Sequence, residues 1–271
     1  MLAGRGEHRW LALTVSVLVL LIAGLGIGVV VANAGKGHTG PPPAALPSPP
    51  VPDTGGGVGL VGWKLSIPEA NDKGSATSIE PATTRAPWLS TGPDGGLMFW
   101  APTAGATTEN SEHPRTELQS LTTFPAGSGP HTLTASLTLL QLPLDGRGII
   151  VGQIHGADDI SSVPYVMLRI QKNQLRVVVK QVQDGDDLIN YRLLDNVGLN
   201  SRIDYTITDL GNGAMTFTAT NNGITGQATA PVPAEFHDAT VRFQAGDYQQ
   251  ANASSGTQDG GRVIFHRLIQ Q

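Results

Sequence analysis

Cysteine is missing from all 271 residues. Disulfides, thiolate nucleophiles and cysteine-ligated zinc are therefore excluded. Charge is scarce too: Asp, Glu, Lys and Arg together make up 14% of the chain, and the formal net charge is −5. Such a chain lacks the basic surface that displaces counterions from a nucleic acid. A local cluster of Arg, His and Gln can still hold carboxylates inside an acidic protein. The acidic stretch Asp184-Gly185-Asp186-Asp187 lacks the regular ligand spacing of a calcium loop and reads as a solvated turn. No amphipathic pattern longer than a helical turn or two is visible, and there is no internal repeat. Gly (34) and Pro (19) are plentiful instead. That balance suits many strands joined by turns better than long helices.

One apolar run is long. Leu11 to Ala32 carries no charge, and Arg5 and Arg9 precede it. About 20 apolar residues can span a bilayer as a helix. Ala32-Asn33-Ala34 closes the run with the small-x-small pattern of a signal-peptidase site. Residues 1–34 are expected to be a transmembrane anchor or a signal peptide, with the remainder exported. The protein is then extracellular, either secreted or tethered to the outer face of the cell membrane. Residues 35–57, with Pro41-Pro42-Pro43 and Gly55-Gly56-Gly57, read as a linker.

Residues 58–271 read as one all-β domain. Leu133, Ala135, Leu137 and Leu139 alternate with Thr132, Thr134, Ser136 and Thr138. Val263, Phe265 and Arg267 alternate with Ile264, His266 and Leu268 in the same way. Turn signals such as Asp94-Gly95-Gly96, Gly211-Asn212-Gly213 and Asn221-Asn222-Gly223 separate the runs. Many strands at short, even spacing predict a β-sandwich or jelly roll.

Three segments carry polar residues at the two-residue spacing that places side chains on one face of a strand. Arg115, Glu117 and Gln119 share a face in His113-Pro114-Arg115-Thr116-Glu117-Leu118-Gln119. Gln153 and His155 share one at the end of an otherwise apolar run. In the third segment Val241, Phe243 and Ala245 take one face, and Arg242, Gln244 and Tyr248 the other. Gly246 leaves a gap that fits the close approach of a ligand or another backbone. Each segment alone is also compatible with a solvated strand face.

Taken in order, the three resemble the signature blocks of polysaccharide lyase family 7, the alginate lyases. That family carries R-[ST]-E-L-R, then Q-[IV]-H, then Y-F-K-A-G-x-Y-x-Q. Here they stand as R-T-E-L-Q, Q-I-H and R-F-Q-A-G-D-Y-Q-Q. Gly62 to Pro68 resembles the family's opening strand, W-x-L-x-[IL]-P, and Phe99 to Ser111 resembles the approach to the first block. The chain departs from the pattern at Gln119, Arg242 and Gln244, where the family has Arg, Tyr and Lys.

The resemblance implies a concanavalin-like jelly roll that cleaves a uronic-acid polymer by β-elimination, without metal or organic cofactor. It implies that Arg115 and Gln153 neutralise the substrate carboxylate, that His155 is the base, and that Tyr248 protonates the leaving oxygen and, for some substrate stereochemistries, also removes the proton. Glu117, Gln119, Arg242, Gln244 and Gln250 form the expected substrate-binding set, with Glu117 expected to orient Arg115. The partner is an anionic polysaccharide, the catalytic domain is expected to be monomeric, and guluronate-containing blocks are favoured. Two further readings are a lyase for another polyuronate such as glucuronan, and a non-catalytic carbohydrate-binding sandwich. A retaining glycoside hydrolase needs two carboxylates flanking the scissile bond, and no E-x-D-x-x-E pattern is present.

Overall fold

A computed structural model of the chain describes residues 57–254 and 256–271. The expected anchor or signal helix, and nearly all of the linker, lie outside the described residues. No helix among the described residues is long and apolar enough to cross a membrane.

The described residues form sixteen strands, joined by turns and two short 3-10 segments. The first six are β1 (Trp63–Ala70), β2 (Ala76–Ile79), β3 (Leu89–Thr91), β4 (Leu97–Pro102), β5 (Arg115–Ser120) and β6 (Phe124–Pro125). Next come β7 (Pro130–Gln141), β8 (Ile149–Gly156), β9 (Pro164–Gln171), β10 (Gln174–Lys180) and β11 (Leu188–Leu194). The last are β12 (Arg202–Leu210), β13 (Ala214–Asn221), β14 (Ile224–Pro231), β15 (Thr240–Gln249) and β16 (Gly260–Gln270).

They build two sheets. A nine-stranded sheet runs β11-β10-β9-β8-β15-β5-β1-β2, with β6 also paired to β15. A seven-stranded sheet runs β14-β13-β12-β7-β16-β4-β3. Strictly alternating burial along β12 and β13 shows why these residues make strands, because their apolar members face inward and threonines face out. The core lies between the sheets. Leu65, Ile67, Leu118, Ile154 and Phe243 come from one side, and Phe99, Leu137, Ile207, Phe217 and Phe265 from the other. Phe99 and Phe265 meet edge to face with ring centroids 5.2 Å apart, a contact that contributes about 0.5–1.5 kcal/mol beyond simple burial.

The expected alternation holds along β7 but not through β16. An irregularity in pairing to β7 between Phe265 and Arg267 shifts the period. Val263, Phe265 and Leu268 therefore reach the core together, where strict alternation had placed Leu268 opposite the other two. A β-bulge changes facing in this way, and residue types alone do not announce it.

Two glycines permit close approach next to the polar strands. A side chain at Gly152 would lie 2.6 Å from the Tyr205 hydroxyl, which crosses from β12 to donate to the Val151 carbonyl at 2.9 Å. At Gly246 the backbone has φ +151°, and a Cβ would lie 2.5 Å from the Thr116 carbonyl oxygen.

Candidate active site

The three polar segments are distant in sequence, yet β8, β15 and β5 lie side by side in the nine-stranded sheet. Gln119 and Gln153 stand opposite Gln244 on either side. Arg115 stands opposite Tyr248, and His155 opposite Arg242. Directly opposed residues share a sheet face. Val241, Phe243 and Ala245 occupy the core side of β15, so the polar set lies on the outer face, as their spacing predicts.

A cavity of about 190 Å³ opens there, lined by Arg115, Gln119, His155, Arg242 and Gln244. Its walls are loops. Thr108, Glu109 and Asn110 stand before the Arg115 end of β5, and Ser161 and Ser162 lie between β8 and β9 beside His155.

Beneath the cavity, Glu117 is completely buried. Its carboxylate accepts from Arg115 Nη1 at 3.0 Å and from Gln153 Nε2 at 2.5 Å. Burial pushes this carboxyl above the usual carboxylate range, while the charge and hydrogen bonds of Arg115 and Gln153 pull it back. Glu117 thus holds two neighbours and does not reach the cleft surface. Gln153 is equally buried, and its amide nitrogen has only a 3.5 Å contact with Gln244 besides Glu117.

The guanidinium of Arg115 lies 3.7 Å from the centroid of the Tyr248 ring. The Tyr248 hydroxyl shares a 2.9 Å hydrogen bond with Ser111. His155 Nδ1 lies 3.0 Å from the Gly156 carbonyl. A carbonyl only accepts, so Nδ1 carries the proton and Nε2 keeps its lone pair. Burial lowers the His155 pKa to about 4; the Gly156 hydrogen bond opposes this, and the charges of Arg115 and Arg242 reinforce it. The imidazole is therefore neutral near pH 7.

The sequence model for alginate lyase matches residues 58–270. The chain belongs to the alginate lyase family. It is 29% identical to alginate lyase A1-II′, a member of polysaccharide lyase family 7, over 78% of this chain and 95% of that one, with a TM-score of 0.67. Identity to alginate lyase PA1167 from Pseudomonas aeruginosa is 26%, over 79% of this chain and 99% of that one, with a TM-score of 0.68. No curated protein sequence matches significantly. Variants of A1-II′ have been solved with a product, GGG, and with a substrate, GGMG. The expected jelly-roll sandwich is thus the fold of a polysaccharide lyase.

Most of the site residues anticipated in this alginate lyase come together. Arg115, Gln119, His155, Arg242 and Gln244 line the cleft, with Gln153 and Glu117 beneath them and Tyr248 under Arg115. Gln250 is the exception. It lies past the end of β15, and its amide turns to the carbonyls of Gln249 and Tyr248 at 3.1 and 3.5 Å.

Three features escaped the sequence. The loop walls at 108–110 and 161–162 have no strand period to betray their facing. Lys64 stands opposite Gln119 on the outer face of β1, and burial, then the charge of Arg242, lowers its pKa. Asp247 is completely buried on the core side of β15. Its Oδ2 accepts the Ala101 N–H at 3.2 Å, and Oδ1 has no partner. Burial, reinforced by the negative charge of Glu117, pushes its carboxyl well above the usual range. A charged residue in register with Phe243 and Ala245 was the available signal for this one.

Proposed function

We propose that this lyase cleaves the 1,4-glycosidic bond of alginate by β-elimination, with poly-guluronate or mixed blocks favoured. The products carry an unsaturated uronate at the new non-reducing end. The observation that carries this reading is a neutral histidine with a free Nε2 beside an arginine whose guanidinium is stacked on a tyrosine.

The chemistry follows from what the substrate lacks. The proton on carbon five is barely acidic, because the neighbouring carboxylate is already negative. Arg115 presents a planar fork of donors that matches a carboxylate, and Gln153 adds the amide N–H that Glu117 does not take. Donors that bind more strongly as charge develops lower the barrier. His155 Nε2 takes the proton from carbon five. The released electron pair forms the double bond between carbons four and five, and the bond from carbon four to the glycosidic oxygen breaks. Tyr248 gives its phenolic proton to the departing oxygen, and Ser111 holds that hydroxyl in place. The proton on His155 then returns to Tyr248 through solvent, which restores both groups.

Gln119, Arg242 and Gln244 set the sugar-binding surface of the cleft. Replacing an arginine and a lysine by glutamines removes two cations, and Arg242 restores one. The A1-II′ variants hold GGG as a product and GGMG as a substrate, which supports guluronate-containing blocks here.

The substrate is tested by incubating residues 58–271 with alginate, poly-guluronate, poly-mannuronate and glucuronan while following the ultraviolet absorbance of the new double bond. Absorbance should rise fastest with poly-guluronate or mixed alginate. A rise with glucuronan alone would transfer the activity to that polymer, and a flat trace with all four would remove the lyase reading.

The same proposal extends to placement. The enzyme is exported through residues 1–34, held off by a linker at 35–57, and acts as a monomeric catalytic domain outside the cell. Fractionating cells that express the full chain, with N-terminal sequencing of the product, distinguishes an anchor from a cleaved signal; a cytoplasmic product would reject export.

A further inference from the structure

The catalytic pair belongs to a longer line of side chains. Arg115 on β5 stands opposite Tyr248 on β15, which stands opposite Ile150 on β8. Ile150 stands opposite Arg169 on β9, Arg169 opposite Arg176 on β10, and Arg176 opposite Arg192 on β11. Directly opposed residues share a face, so Arg169, Arg176 and Arg192 continue the Arg115–Tyr248 row on the outer face. Five strand-to-strand steps carry that row about 24 Å from Arg115.

These arginines are poorly neutralised. Arg169 donates to the Arg147 backbone carbonyl at 3.2 and 2.6 Å. Arg176 donates to the neutral amide of Gln174. Arg192 alone has a carboxylate, Asp195, at 3.6 Å, and both side chains are at least half exposed, where such pairs contribute little. The row is also crowded with like charge: after burial, Arg147 and Arg176 are the next influences lowering the pKa of Arg169, with Asp145, which pairs with Arg147 at 3.6 Å, opposing them. Assembling cations this way costs free energy that a polyanion returns on binding.

The cleft and this row lie on one sheet face. Its loop walls stand at opposite ends of the strands, at 108–110 and at 161–162. Across the strands the same outer face continues from the cleft, past the buried Ile150, over β9, β10 and β11.

We propose that Arg169, Arg176 and Arg192 form an extended binding track for the polyuronate chain, holding carboxylates several sugars from the bond that is cut. This rests on the lyase reading of the same cleft. It makes the enzyme selective for long chains and moves most of its cationic grip from the motif positions at Gln119 and Gln244 to the β9–β11 side.

Arg176 and Arg192 can be changed without opening the core. The R176Q/R192Q variant and wild type are compared on polymer and on tri- and tetrasaccharides of the same composition. Expected is a KM on polymer raised severalfold with kcat held, a loss that fades as the substrate shortens, and recovery in R176K/R192K. The slope of log KM against log salt should flatten by roughly one for each arginine removed. An equal loss on short and long substrates, or no loss on polymer, would overturn the track. Polymer retardation in an affinity gel separates the two claims. Weaker retardation of R176Q/R192Q with no turnover by wild type keeps the track and rejects the lyase, whereas turnover with unchanged retardation does the reverse.

Discussion

At the residue scale, the site divides into groups that face the cleft and groups that hold them. His155 belongs to the first kind. His155→Ala should reduce turnover by about 100- to 10,000-fold, the usual contribution of a positioned base, while polymer binding measured by affinity gel persists. Equal loss of binding and turnover would make the residue part of the binding surface only. The pH dependence follows from the lowered pKa of about 4. The proposed base role requires a neutral imidazole, so the acid limb of kcat/KM should fall near pH 4, well below the 6.5 of a free histidine. The same shift acts on stability. Between about pH 6.5 and 4 the unfolded chain binds a proton at this position that the folded chain refuses. The contribution of His155 is therefore complete above 6.5 and lost as pH falls towards 4. An acid limb at 6 to 7 would contradict a His155 held neutral by its surroundings. Glu117 belongs to the second kind. Its type and spacing were legible as a partner for Arg115, but its complete burial was not, because a strand pattern gives facing and not depth.

At the element scale, glycines and bulges set what the strands can display. Gly246 leaves the gap between Gln244 and Tyr248, and its backbone is closed to other residues on two counts, a φ of +151° and the nearby Thr116 carbonyl. Gly246→Ala should lower the melting temperature by several degrees and reduce activity in the fraction that folds, because β5 and β15 must separate locally. A stable variant with full activity would show that the gap is not required. The polar faces of β5, β8 and β15 were legible from the two-residue period alone. Their adjacency was not: β15 inserts between β8 and β5, a strand order that follows from Greek-key-like crossovers and leaves no local mark. The irregularity after Phe265 and the position of Tyr205 against Gly152 were hidden for the same reason, since each depends on a partner strand.

At the scale of the whole molecule, an acidic chain carries a locally cationic cleft. Arg115 and Arg242 line it and Lys64 stands at its margin; of its carboxylates, Glu109 stands in a loop wall, and Glu117 beneath the floor is already bonded to Arg115 and Gln153. Composition excluded nucleic acid but could not locate this cluster, which three separated segments assemble only when the sheet forms. The family blocks made the fold and reaction class readable, because they fix side chains that the chemistry needs. They were silent on the loop walls and on the arginines of β9 to β11, which lie outside them.

The central claim is cleavage without water. Alginate is digested by residues 58–271, and the mass of the products is measured. Elimination adds no water, so the new non-reducing ends should carry no oxygen on carbon four and be lighter than those of a hydrolytic product by the mass of one water molecule. Saturated non-reducing ends at the full hydrolytic mass would make the protein a hydrolase.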